Sequence, residues 1–270
     1  MLCFPNCKIN IGLYITNRRA DGYHDLETVF YPLNFCDVLE VVGSSHTMLH
    51  PSGLQIAGVQ DDNLVLKAYN MLSGMFPAKV PAMDIYLHKV LPMGAGLGGG
   101  SADGAFMLSL LNDYCSLGLS KHELIPLALQ LGSDCPFFIN NKPQVAKGRG
   151  EIMTDTALDL SGYSIQLLMP GLHVSTGKAF GTITPKPAPF DLNKLILLPI
   201  TEWRDKISND FEAPVFGQFP ILAALKERLY SQGALYASMS GSGSAVYGIF
   251  PKGKKADIAE YTTLESYYQE

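Results

Sequence analysis

Apolar and polar positions alternate along this chain in two distinct rhythms. In the first ninety residues, β-branched and aromatic side chains gather in short runs that predict strands over 8–16, 28–33, 38–42 and 83–90. Between the third and fourth runs, Leu64, Ala68 and Leu72 recur at helical spacing, so 63–72 reads as a helix. A further helix is expected over 101–114, and the next starts at Ser120. Ser120 and Glu123 form a Ser-x-x-Glu capping box ahead of the stripe Leu124, Leu127, Ala128 and Leu131. Gly132 is a natural stop, and Pro126 inside the helix predicts a kink or a tight first turn.

The texture changes over 148–160, which marks the expected domain boundary: residues 1–155 form one domain and 156–270 the other. Past it, 164–169 reads as a strand, followed by a loop with Pro185, Pro187 and Pro189. Helices are expected near 209–216 and 220–230, and strands over 234–239 and 245–250 flank Ser240-Gly241-Ser242-Gly243-Ser244. Strands and helices mixed without regular β-α alternation predict an α+β fold.

One segment breaks both rhythms. Leu91-Pro92-Met93-Gly94-Ala95-Gly96-Leu97-Gly98-Gly99-Gly100-Ser101 places five glycines in seven positions directly before a helix. Glycine admits positive φ and close approach of a ligand to the backbone. A helix start aims unpaired N–H groups and the positive end of its dipole at one spot, which suits a phosphate. Gly94-x-Gly96-x-x-Gly99 also fits a dinucleotide fingerprint, but Asp113, at the right distance, falls in the same helix rather than after a second strand. No Gly-Lys-Ser/Thr follows, which excludes a Walker A loop. A glycine turn used only for close packing remains the plain alternative.

Composition narrows the partners. The 270 residues are 47% hydrophobic and 17% charged, enough for a substantial core and unlike a disordered chain. A net charge of −5 with no basic run argues against nucleic acid, so a small molecule is the expected partner. There is no signal-like leader and no apolar run of membrane length. The five cysteines are odd in number and lack CxxC spacing, so reduced thiols in the cytoplasm are expected.

Other residues could carry chemistry. Asp134 follows a helix stop and precedes Cys135-Pro136, which predicts an extended backbone and a carboxylate projecting from a loop. It could take or orient a hydroxyl proton, or simply cap its own turn. Lys8 lies in an otherwise apolar strand, where an edge position is the ordinary reading, and Asn10 faces the same side. Tyr23 and His24 suit a pyrimidine through stacking and edge hydrogen bonds, although such a pair in a turn is often plain surface. The histidines at 46, 50, 88 and 122 show no metal-ligand spacing.

The pattern Pro-x-x-x-Gly-Leu-Gly-Gly-Gly-Ser resembles the phosphate loop of the GHMP kinases. Lys8-Ile9-Asn10-Ile11 and Ser238-Met239-Ser240-Gly241-Ser242-Gly243-Ser244 stand where that family has its other motifs. Arg18 to Leu26, Leu131 to Phe138 and Asn209-Asp210-Phe211-Glu212 resemble a branch acting on a cytidine-diphosphate-linked methylerythritol, in the non-mevalonate route to isoprenoids. The resemblance covers essentially the whole chain. It implies a two-lobed fold, with an N-terminal ATP-binding lobe, a C-terminal α/β-sandwich lobe and the active site in the cleft between them. ATP is then the co-substrate, Mg²⁺ accompanies it without a nameable protein ligand, and the enzyme is a monomer or homodimer.

By the same resemblance, Lys8 and Asp134 are catalytic, Asp134 as base and Lys8 as its charged assistant. Lys89, Pro92, Gly94, Ala95, Gly96, Leu97, Gly98, Gly99, Gly100 and Ser101 hold ATP. Asn10, Tyr23, His24, Thr176, Phe180, Gly241 and Gly243 bind the acceptor, with Phe180 the second aromatic of a sandwich around the base. Ser101 also reads as a helix N-cap, and Lys89 equally as a strand-end surface lysine. Ala102 stands where the family often has a second serine, and Gly177 where related chains can carry proline. The alternatives are a homoserine- or mevalonate-type kinase, a non-catalytic nucleotide-binding module on the same fold and, more distantly, a dinucleotide oxidoreductase.

Overall fold

The computed structural model describes residues 1–56, 60–259 and 264–270. In chain order the elements are β1 (Leu2–Cys3), β2 (Asn6–Arg18), β3 (His24–Cys36), β4 (Val38–Gly43), β5 (Met48–Gly53), α1 (Leu64–Met75), β6 (Met83–Lys89), α2 (Gly99–Tyr114), α3 (Lys121–Leu131) and α4 (Cys135–Asn140). There follow β7 (Gln144–Lys147), β8 (Ile152–Asp155), β9 (Tyr163–Met169), α5 (Thr176–Gly181), α6 (Trp203–Lys206), α7 (Glu212–Gln218), α8 (Pro220–Ser231), β10 (Tyr236–Met239), β11 (Val246–Pro251) and β12 (Glu265–Gln269). The order is α+β, as the sequence predicts. Two compact units result: Met1–Cys7, Asn34–Met93 and Gly98–Lys142 build the first, and Lys8–Leu33, Gly94–Leu97 and Pro143–Glu270 the second.

In the first unit, a sheet runs in the order β1-β4-β6-β5, with β6 antiparallel to β4 and parallel to β5. Met83, Ile85 and Leu87 of β6 point to the buried face, while Asp84, Tyr86 and His88 face out. This is the two-residue alternation of a half-covered sheet. Strand β5 escapes the sequence reading because it contains Pro51; proline is tolerated there because β5 is an edge strand. Helix α1 begins at Asn63, whose side chain accepts the Val65 N–H at 2.9 Å. The capping box of α3 forms as expected, Glu123 accepting from Ser120 N and Ser120 from Glu123 N, and the helix runs through Pro126 to Leu131. Helices α1 and α2 approach closely, since a Cβ on Gly104 would come within 2.9 Å of Leu64 Cβ.

The second unit holds two sheets, β2-β3-β7-β8 and the all-antiparallel β10-β11-β9-β12. Its core gathers Leu13 and Ile15 of β2, Leu168 of β9, Val215 of α7, Leu222, Leu225 and Leu229 of α8, and Val246 and Phe250 of β11. The three α8 leucines lie on one helical stripe, and each contributes about 1.5–3 kcal/mol by leaving water. The helix expected over 209–216 starts later, at Glu212, because Asn209 bridges to Leu13 of β2 instead. Strands β7 and β8 are four residues each and β12 is mostly polar, so hydropathy does not announce them.

Candidate active site

The glycine run straddles the two units, and each part is held differently. In the second unit, Gly94 and Gly96 have φ of +69° and +78°. A Cβ on Gly96 would fall 1.9 Å from the Ser240 carbonyl oxygen, and one on Gly94 would fall 2.5 Å from His173 Nδ1. Backbone excludes any side chain at Gly96, and the positive φ favours glycine at both positions. Lys8 is 3% exposed; its backbone N–H donates to Leu97 O, and its ammonium donates to Gly96 O at 3.0 Å and Asn10 Oδ1 at 2.6 Å. Ser240 Oγ accepts from Asn10 N at 3.2 Å and donates to Gly96 O at 2.9 Å.

The 240–244 loop is itself fixed. Asn209 Nδ2 donates to the carbonyls of Met239 and Gly241, both at 2.8 Å, and Thr176 Oγ1 pairs with Ser242 Oγ at 3.0 Å. Asn10, whose Nδ2 donates to Thr28 Oγ1, is braced by the Tyr247 hydroxyl on its carbonyl at 2.7 Å. The structure therefore brings Lys8, Asn10, Gly94–Leu97, Thr176, Gly241 and Gly243 into one hydrogen-bonded neighbourhood.

The aromatic residues stand differently from expectation. His24 stacks on Phe180 with ring centroids 5.1 Å apart and planes 21° from parallel, and Phe180 meets Phe211 edge-on at 4.8 Å. The imidazole thus covers the Phe180 face expected to receive a base, and two rings this close leave no gap for a third. Tyr23 is 56% exposed, and the Arg149 guanidinium lies 4.7 Å above its ring. Its backbone N–H is held by Asp21 Oδ1, in a turn where Arg19 also pairs with Asp21 and Asp25.

In the first unit, the run continues into α2. The helix starts at Gly99, with Gly98 as its left-handed N-cap at φ +73°, so the N-cap expected at Ser101 lies three residues earlier. Gly98 can take that conformation without strain, and the shift puts residues 99–101 in the first turn, whose N–H groups have no carbonyl of their own helix to bond. Gly100 is exposed, and a Cβ there would meet nothing within 4 Å.

Lys89 is not a surface lysine. Its ammonium, 3% exposed, donates to Asp37 and, at 2.7 Å, to Asp103 of α2. Asp134 likewise departs from expectation: it is helical, with φ −86° and ψ −15°, and is the N-cap of α4 rather than part of an extended loop. The extended bias imposed by Pro136 falls on Cys135, the residue directly before it, and not on Asp134, while a proline in the first turn suits a helix start. The neighbouring Cys135 is buried, and burial pushes its thiol up to about 12 against a hydrogen bond from Ser101. The first turns of α2 and α4 are thus joined, with the half-buried Asp134 carboxylate at that junction.

Comparison with known proteins decides the family. The model for the GHMP kinases N terminal domain matches residues 63–142, and that for GHMP kinases C terminal matches residues 198–267. The chain belongs to the GHMP kinases. It is 46% identical over 252 residues to a 4-diphosphocytidyl-2-C-methyl-D-erythritol kinase of Parabacteroides distasonis, covering 93% of this chain and 92% of that one. The same-named protein of Bacteroides fragilis is 49% identical over 259 residues, 94% of each chain. A crystal structure of 4-(cytidine 5'-diphospho)-2C-methyl-D-erythritol kinase superposes with a TM-score of 0.80 at 28% identity, over 99% and 98% of the two chains. The mevalonate kinase of Methanococcus jannaschii shares the fold alone, at a TM-score of 0.70 and 10% identity over 99% and 97%.

Membership of the GHMP kinases makes this chain an enzyme and implies ATP as its co-substrate. Sequence reasoning missed several residues that shape the site of this GHMP kinase. His173 against Gly94, Arg149 over Tyr23 and the pair Asp37 and Asp103 carry no local pattern. Asn209, beneath the 240–244 loop, had a signal through the Asn-Asp-Phe-Glu segment, and its side-chain role emerges only in three dimensions. Among the described residues no helix is long and apolar enough to cross a membrane, and all five cysteines are free.

Proposed function

We propose that this kinase transfers the γ-phosphoryl group of ATP to the 2-hydroxyl of 4-diphosphocytidyl-2-C-methyl-D-erythritol, in the route to isoprenoid precursors. The observation that carries the reading is the near full-length likeness, at 46–49% identity, to chains of that name. The loop chemistry supports it. Residues 94–101 offer backbone N–H groups and a helix start to the donor phosphates. Lys8, its ammonium fixed on Gly96 O, brings positive charge toward the transferring phosphoryl group.

Asp134 accepts the proton of the attacking hydroxyl as the new O–P bond forms and the bond to the β-phosphate oxygen breaks, releasing ADP. Mg²⁺ enters with ATP as part of the substrate. Phosphate oxygens and water are the usual ligands of a Mg²⁺ that arrives with a nucleotide. On the acceptor side, Tyr23, His24 and Phe180 receive the cytosine once the His24 imidazole has turned off the Phe180 ring. The 240–244 loop and Asn10 bind the remainder. Five free thiols support a reducing, cytoplasmic setting.

Purified enzyme with ATP and Mg²⁺, offered the cytidine-linked acceptor, its cytidine-free analogue, homoserine and mevalonate, tests the assignment through ADP release. Only the first should turn over efficiently. Equal rates with the cytidine-free analogue would remove Tyr23, His24 and Phe180 from recognition, and preference for homoserine or mevalonate would overturn the assignment.

A further inference from the structure

Behind the start of α2 lies a buried cluster of three charged groups. Asp37, between β3 and β4, is 0% exposed, Lys89 at the end of β6 is 3% exposed, and Asp103 in α2 is 4% exposed. Lys89 Nζ donates to Asp37 Oδ2 and, at 2.7 Å, to Asp103 Oδ2. Asp37 Oδ1 accepts the N–H groups of Val90 at 2.6 Å and Leu91 at 2.8 Å. One carboxylate therefore ties down the chain entering the glycine run, the other sits on the helix leaving it, and the ammonium joins the two. Asp103 Oδ1 has no hydrogen-bond partner among the described residues. The ammonium also lies against the helix start, 3.5 Å from where a Gly99 Cβ would stand.

We propose that Asp37, Lys89 and Asp103 are positioning residues for ATP, holding the first turn of α2 against β6, with the proton on Asp103 setting the charge behind that turn. Fully ionised, the buried cluster carries one surplus negative charge shielded from bulk solvent, an arrangement a protein avoids by retaining a proton. Burial pushes Asp103 up to about 7, against the opposing charge of Lys89 and with the like charge of Asp37 adding. The third facing group is the Cys3 thiol of β1, which burial first and then the charge of Asp103 push up to about 12, so it stays neutral. With Asp103 protonated the cluster is neutral overall. Once that proton leaves, a net negative charge stands behind the N–H groups meant for phosphate and weakens their pull.

The inference rests on the reading that residues 98–101 face the donor phosphates. The test follows kcat and KM for ATP from pH 6 to 8.5 in the native enzyme, Asp103→Asn and Asp37→Asn. Comparing native with variant cancels the titration of ATP itself. The ratio of native to Asp103→Asn KM should rise ~10-fold across this range while the kcat ratio stays flat. Asp37→Asn keeps an acceptor for Val90 and Leu91 but removes the like charge, so it should move the break in KM to lower pH.

Parallel KM profiles for native enzyme and Asp103→Asn, or a break in kcat instead of KM, would overturn the proposal. Should Asp103→Asn fail to fold, the shift in Asp37→Asn carries the test, and an unmoved break overturns it. Gly98→Ala separates the underlying reading: an unchanged KM for ATP in that variant removes the loop from phosphate binding, whatever the pH behaviour.

Discussion

At the scale of single residues, the two candidate catalytic groups are held by different means. Lys8 is buried and fixed by Asn10 and the Gly96 carbonyl, whereas Asp134 sits half-exposed at a helix start. If Asp134 receives the proton, Asp134→Ala should lower kcat by ~10²-fold or more with little change in KM for ATP, measured by steady-state ADP release. Turnover at the native rate would strike it from the mechanism. Gly96→Ala should be worse than inactive, because its methyl group falls 1.9 Å from the Ser240 carbonyl. A loss of about 1–3 kcal/mol in a urea titration is expected, with the midpoint moved and the slope kept.

Glycine positions, Lys8 and Asn10 were legible in the sequence because their residue types are unusual where they stand. Asp37 and Asp103 were not. A lone aspartate has no periodicity to betray it, and these two gain meaning only when Lys89 meets them across 52 and 14 residues of chain.

Among elements, legibility followed local signals. The α3 helix was readable to the residue because its capping box is a purely local device, and Ser120→Ala should cost about 0.5–2 kcal/mol of stability in urea while leaving kcat/KM alone. The start of α2 was misplaced by two residues, since glycine propensity argues against a helix that the cap geometry nevertheless begins at Gly99. Edge strand β5, with its proline, and the short strands β7, β8 and β12 owe their existence to neighbours in their sheets. No window of sequence contains those neighbours. The helical state of Asp134 departs from the sequence reading because the bias of Pro136 reaches only Cys135 and does not bear on Asp134, which caps the helix that follows.

Over the whole molecule, the α+β class followed from the order of runs, whereas the way segments distribute between units did not. Each unit takes pieces from three stretches of chain, and linear reading has no access to that. Global stability should also register the buried Asp103. Its carboxyl is protonated more readily folded than unfolded, so the unfolded chain loses its proton first as pH rises from about 4. Stability of the native enzyme should therefore fall between about pH 4 and 7 relative to Asp103→Asn, then run parallel above. Denaturant midpoints taken at intervals of half a pH unit would show it, and a constant difference throughout would contradict it.

The glycines of the phosphate loop are not equivalent, and the difference offers a practical handle. Gly94, Gly96 and Gly98 are bound to their conformations, but Gly100 is exposed with open space where a side chain would stand. A thiol introduced there by Gly100→Cys would sit at a helix start, which favours the thiolate. The native cysteines at 3, 36, 115 and 135 are all raised by burial, so they should alkylate slowly at neutral pH. Iodoacetamide labelling of that variant, followed by mass spectrometry, should be fast without nucleotide and suppressed by ATP, turning the loop into an optical or chemical reporter of its own occupancy.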